Sequence, residues 1–313
     1  MADKKHPHHH HHDHDILHQA AQHDHKHDHS HHHRHDQHHD QDILHHADRL
    51  YGELSKSAAY GSTLVIRPNS GISGDIIVAG LLALSGLDQD GLNSILGDLN
   101  LENLAGRVRL ESRELDSISG VGLHVDLPHE HEHRTLADME AFFEKSKISD
   151  KAKELALAAF RLLAEAEGAV HGLPPEKVHF HEVGALDSIL DFGLAAALMD
   201  YLAPARIVCG PLPVCDGVIK CQHGLLPSPA PAVMRLLEGV PVVGLDSSGE
   251  TVTPTGVALL KAFGAEFGLW PAISIVRHAL VYGSRRLEGV PNGAIFVLGH
   301  WGGGLVRSAS PSL

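Results

Sequence analysis

The stretch from His6 to His46 holds twenty of the chain's 30 histidines, interleaved with Asp and Gln and almost without aliphatic side chains. No other feature constrains the fold as strongly. Ordering a residue costs about 1–2 kcal/mol of backbone entropy, and a segment with so little apolar surface has nothing to offset that cost. Residues 1–60 are therefore expected to be a disordered tail and linker, with Gly52 to Gly61 as the linker. The folded part is confined to residues 61–300, as one lobe or two, with 301–313 a flexible Gly/Ser end. Within the tail, His8, His10, His12, His23, His25, His27, His29, His31 and His33 are expected metal ligands. Asp15-Ile16-Leu17-His18 is echoed by Asp42-Ile43-Leu44-His45, which suggests growth by duplication. Imidazole suits nickel, copper and zinc, so dense His with Asp makes many weak, interchangeable sites. That is a reservoir, and it cannot select nickel by affinity, because copper binds more tightly. An expression tag would be shorter and would lack the His/Asp/Gln mixture.

The remainder is acidic and aliphatic. A formal charge of −14 argues against a nucleic-acid partner, which calls for a basic face. No run approaches the roughly 18 apolar residues of a membrane span, and the beginning lacks a signal-peptide apolar core. Three cysteines, Cys209, Cys215 and Cys221, are too few for a disulfide framework. A cytoplasmic protein is expected. Aromatic residues make up 4%, so the core must be largely aliphatic. Thr63 to Ile66 predicts a buried strand, a Gly/Ser turn follows, and Ile76 to Leu84 predicts a helix. Further strands are expected at Val108 to Leu110, Gly122 to Asp126, Arg206 to Val208 and Gly217 to Lys220, with a strand or turn around Val178 to Val183. Ser149 or Asp150 can cap a helix reaching Ala169, a second apolar helix spans Ala185 to Leu202, and Thr255 can cap a third over Val257 to Phe263. The class is α/β, mixed α and β, with the order of strands unreadable.

Three motifs can carry chemistry. In Val178 to Asp191, an extended Val178 to Glu182 would put His179 and His181 on one face. Gly184 allows a turn, and Asp187 and Asp191 then share a helix face four residues apart. His179, His181, Glu182, Asp187 and Asp191 thus form a candidate transition-metal set. The same spacing also suits a carboxylate at a helix N-terminus with hydrogen-bonded core histidines. In Ser70-Gly71-Ile72-Ser73-Gly74-Asp75, a turn between strand and helix offers backbone N–H groups to a mononucleotide phosphate, or is simply a tight capped turn. It lacks the Gly-Lys-Ser/Thr ending of an ATP-hydrolysing loop. Gln222 to Pro231 is a proline-stiffened loop able to hold His223, and Thr253-Pro254-Thr255-Gly256 begins a helix that could face a ligand. His129, His131 and His133 are exposed charge or auxiliary ligands, and the cysteines are small core residues, with soft ligation at their even six-residue spacing the lesser alternative.

These segments, together with His133-Arg134, Leu163 to Glu167, Val170-His171-Gly172 and Val252 to Gly256, resemble the LarC family of nickel-pincer cofactor biosynthesis proteins. The resemblance runs from about Thr63 to Gly299 in family order, most specifically around His179 to Asp187. It implies insertion of nickel into a pyridinium bis-thiocarboxylate mononucleotide, two sulfurs and a ring carbon receiving the metal. The product would serve a lactate racemase-type client enzyme. It also implies His171 and His223 among the metal ligands, and His181, Glu182 and Asp187 in catalysis. Ser70, Gly71, Ser73, Gly74, Asp75, Thr253 and Thr255 are implied to bind the nucleotide. The family depends on CTP held by a C-terminal domain. Three departures stand out: Arg67-Pro68-Asn69 replaces the acidic residue before the glycine turn, the late glycine motif is reduced to Tyr282-Gly283-Ser284-Arg285, and the sequence stops soon after Pro291-Asn292. A separately encoded C-terminal domain is therefore an expected partner. The alternative to a nickel chelatase is a nickel store or metallochaperone.

Overall fold

The computed structural model describes residues 61–127, 134–180, 186–221 and 223–301. The chain parts into two units, Met1–His45 and His46–Leu313, and every described residue belongs to the second. The nine tail histidines named above, His129, His131 and His133, and both His181 and Glu182 lie outside the described residues.

The frame is a seven-stranded mixed sheet. β1 (Ser62–Pro68) pairs on one side with β6 (Arg206–Cys209), in parallel, and on the other with β13 (Ala294–Trp301), antiparallel. β11 (Glu266–Phe267) lies beyond β6; β12 (Ile273–Val281), β3 (Ile118–Val125) and β2 (Val108–Leu115) follow β13 to the other edge. β1 and β13 read as apolar runs because both sit in the middle of the sheet, away from its solvated edges. β2, at the edge, buries only Val108 and otherwise mixes half-buried and exposed residues.

Helix α1 (Gly74–Ser85) packs along β3, β12 and β13. Gly80 makes this approach feasible, since a Cβ there would lie 2.5 Å from the Phe296 ring. Helix α5 (Leu186–Leu202) is apolar nearly all round and packs on α1 and α4 (Asp150–His171), as a fully interior helix must. Between α1 and α4 come α2 (Gln89–Asp98) and α3 (Leu136–Lys145). The set closes with α6 (Pro231–Leu236) and α7 (Pro254–Ala262), both packed on α4. Helices α2 and α3 escape a search for apolar periodicity because each buries only two residues. Their caps are the clearer signals: Asp88 accepts from Gly91 N at 2.9 Å, and Thr135 with Asp138 forms a capping box.

Two expectations need adjusting. The cap of α7 is Thr253, whose hydroxyl accepts from Gly256 N at 3.2 Å, and Thr255 falls inside the first turn. The core is aliphatic, but the few aromatics are concentrated: Phe142, Phe143, Phe160, Phe180 and Phe192 form one ring chain, with Phe160 and Phe192 4.4 Å apart. That cluster anchors β5 (His179–Phe180), which pairs with β4 (Arg134–Thr135).

Candidate functional site

The site begins where β1 runs out. Ser70 Oγ accepts from Gly293 N at 2.9 Å, tying the turn to the start of β13. Gly71 has φ +137°, and a Cβ there would collide with the Thr251 carbonyl. That close approach is used: Ile72 N donates to Thr251 O at 2.9 Å and Thr253 N to Ile72 O at 3.1 Å. The turn and the segment before α7 are thereby zipped together. Gly74 N donates to Thr255 Oγ1 at 3.3 Å, Thr255 Oγ1 lies 2.9 Å from Thr253 Oγ1, and the Ser73 hydroxyl donates to the Asp75 carboxylate. Helices α1 and α7 thus begin side by side, which no local spacing in the sequence reveals.

Helix α5 adds the carboxylates. Asp187 Oδ1 accepts from Ser188 N at 2.7 Å at the start of the helix. One turn on, the Asp191 carboxylate occupies the space a Cβ on Gly74 would need. Asp191 is half-buried by surface area yet deep among protein atoms. Burial first, then the charges of Asp75 and Asp187, hold its carboxyl well above the usual carboxylate range.

Two cavities meet at this wall. The first, about 570 Å³, is lined by the glycine turn, including Ser70, Gly71, Ser73, Gly74 and Asp75, by Arg113 and His124 of β2 and β3, and by Ser284 and Arg285. The second, about 690 Å³, is lined by Glu167, His171, Phe180, Lys220, Cys221 and His223. Asp187, Asp191, Glu250, Thr253 and Thr255 line both. Each volume suits a small-molecule ligand. The second cavity carries nitrogen and sulfur donors of the kind first-row metals accept. The His171 and His223 rings stand 5.0 Å apart edge to face, and His171 Nε2 lies 3.5 Å from Glu167 Oε2.

The structure therefore brings together seven nucleotide-site residues expected from the sequence, plus Asp187 and Asp191, and joins His171 to His223. His179 lines neither cavity; it is exposed on β5, opposite Thr135 and near the Asp138 carboxylate. Among the described residues, no three His, Cys, Asp or Glu side chains gather as a metal-ligand set. Sequence reasoning missed Arg113, His124, Glu250 and Lys220, since charged residues on short strands and loops look like any solvated surface. Of the cysteines, Cys209 and Cys215 are buried as expected, burial pushing the Cys209 thiol up to about 12, while Cys221 faces the second cavity.

Fold and site together define a mixed α/β protein whose cleft joins a carboxylate-walled small-molecule cavity to an imidazole-lined one. Residues 64–308 match the nickel insertion protein family, and the chain belongs to that family. A nickel-insertion-family protein of Geotalea uraniireducens is 40% identical over 230 residues, covering 74% of this chain and 59% of that protein. One from Syntrophotalea carbinolica is 40% identical over 232 residues, covering 74% and 58%. The pyridinium-3,5-bisthiocarboxylic acid mononucleotide nickel insertion protein of Desulfitobacterium hafniense is 39% identical over 224 residues, covering 71% and 54%. The chain thus spans between half and three-fifths of the length of these relatives. No solved structure matches it. No helix among the described residues is long and apolar enough to cross a membrane.

Proposed function

We propose that this chain inserts nickel(II) into pyridinium-3,5-bisthiocarboxylic acid mononucleotide, making a nickel-pincer cofactor in the cytoplasm for a lactate racemase-type client. The substrate is that named for the Desulfitobacterium hafniense relative. The observation that carries the reading is the shared wall. A cavity sized for a mononucleotide and a cavity holding two imidazoles have Asp187 and Asp191 in common. In this reading the nucleotide lies in the first cavity, against the glycine turn, Thr253 and Thr255. Nickel arrives through the second, met by His171 and His223, and passes to the substrate at the two carboxylates. His181 and Glu182 enter as ligands on the sequence pattern alone, and His179, outside both cavities, is not used in this route.

Insertion replaces a ring C–H bond by a carbon–nickel bond and releases the hydrogen as a proton, while the two thiocarboxylate sulfurs complete the pincer. In this reading Asp187, in the wall, accepts that proton. CTP has no assigned place among the described residues. The turn at Ser70 to Asp75 lacks the lysine of a triphosphate-gripping loop and faces carboxylates.

The test is to incubate the protein with nickel(II) and the mononucleotide, with and without CTP, and to analyse the small-molecule fraction by mass spectrometry. Nickel is expected in the mononucleotide, with Asp187→Asn lowering its yield at least about tenfold, the range of general-base loss being about 10²–10⁴. Nickel that stays on the protein in both arms would instead establish storage or metallochaperone function, the reading favoured by the twenty amino-terminal histidines.

A further inference from the structure

The glycine turn is the obvious place for a phosphate, and its surroundings argue against it. At Gly74 the neighbouring group is the Asp191 carboxylate, the Gly74 N–H is already given to Thr255, and Asp75 and Asp187 line the same end of the cavity. A phosphate there would meet like charges, which cost more as water is excluded. The same cavity is also lined by two cationic side chains. Arg113 lies across the face of Gly122 and is spent on the protein, its Nε donating to Glu111 Oε1 at 3.1 Å, its Nη1 to Tyr282 O at 2.8 Å and its Nη2 to Leu123 O at 2.8 Å. Arg285, two residues beyond Gly283, donates from Nη1 to Glu250 O at 2.8 Å and from Nη2 to Ser248 O at 3.4 Å. A guanidinium has five N–H groups, so Arg285 is oriented by the protein with donors left for a ligand. It is also exposed at the cavity wall, where a ligand can reach it.

Resting on the nucleotide reading of this cavity, we propose that Arg285 binds the substrate's phosphate. The carboxylate pole at the glycine turn then faces the cationic pyridinium ring and the incoming nickel. This orientation puts the ring, where metal must enter, against Asp187 and Asp191 in the wall shared with the imidazole cavity, and the phosphate on Arg285. Arg285 is thus a specificity-determining residue that separates nucleotides from nucleosides.

The test uses the whole chain at pH 8, where the tail imidazoles are neutral, in metal-free buffer. The probes are the mononucleotide of pyridine-3-carboxylic acid and its phosphate-free riboside, titrated by calorimetry. The wild type is expected to prefer the nucleotide by about tenfold, the scale of one exposed charge-assisted contact, and the preference should shrink with added salt. Arg285→Ala should remove the preference while leaving riboside affinity unchanged, and Arg285→Lys should keep part of it. A salt-sensitive preference that persists undiminished in a folded Arg285→Ala protein would return the phosphate to the glycine turn and overturn the proposal. Should the wild type bind neither probe, the nucleotide reading itself falls, and this inference with it.

Discussion

Asp191 concentrates the chemistry of the cleft in one side chain. Its position against Gly74 explains why that residue has no side chain, and its burial beside Asp75 and Asp187 explains its raised pKa. A carboxyl whose pKa is raised on folding favours the folded state fully below the unfolded value, about 3.9. That contribution is lost as pH rises through the folded value. At neutral pH the metal-free protein therefore carries a penalty from Asp191. Asp191→Asn is expected to raise the thermal midpoint at pH 7 in the presence of a chelator, with the gain fading as pH falls toward 4. Nickel should then stabilise the wild type more than the variant, because the variant lacks the charge that would meet the cation. Identical midpoints for the two proteins across this range would mean that Asp191 stays solvated.

At the level of elements, the cleft is made by helix beginnings. Thr253 caps α7 and lines both cavities, whereas Thr135 caps α3 and lines neither. Losing either hydroxyl should cost about 1 kcal/mol of stability, the usual worth of an N-cap. Only Thr253→Ala should also weaken binding of the mononucleotide probe, since it removes one of the two groups that orient the Thr255 hydroxyl. Urea denaturation and calorimetry on the two variants give both quantities. Equal probe affinity in both would separate α7 from the ligand.

For the whole molecule, the decisive feature is closure of the sheet by its last strand. β13 fills the place between β1 and β12, pairing Ser62 with His300 and Pro68 with Ala294 on one side and Val281 with Ala294 on the other. Phe296, fully buried on that strand, is what α1 packs against at Gly80. Phe296→Ala should cost about 3–5 kcal/mol, as large core truncations do, and should loosen the cleft, because β13 begins at the residue after Gly293, which fixes Ser70. Denaturant unfolding monitored together with probe binding checks this. A loss below about 1 kcal/mol would show that β13 is not part of the cooperative core.

What the sequence determined by itself is local. Apolar runs at Thr63 to Ile66 and Ala185 to Leu202 could only be a buried strand and a buried helix. The Gly/Ser stretch from Ser70 to Asp75 marked a turn between strand and helix, and the four-residue spacing of Asp187 and Asp191 put both on one face. The histidine-rich stretch lacked the apolar surface for a core. Tertiary structure alone decided which of these meet. Gly74 and Asp191 are 117 positions apart, Ile72 and Thr251 are 179 apart, and Arg113 reaches the site only because β3 stands beside β12 and β2 beside β3. Side chains on an edge strand alternate between faces whatever they serve, so their sequence records the alternation and not the neighbour. The neighbour is set by the order of strands, and that order is fixed by long-range packing, which leaves no periodic trace in the chain.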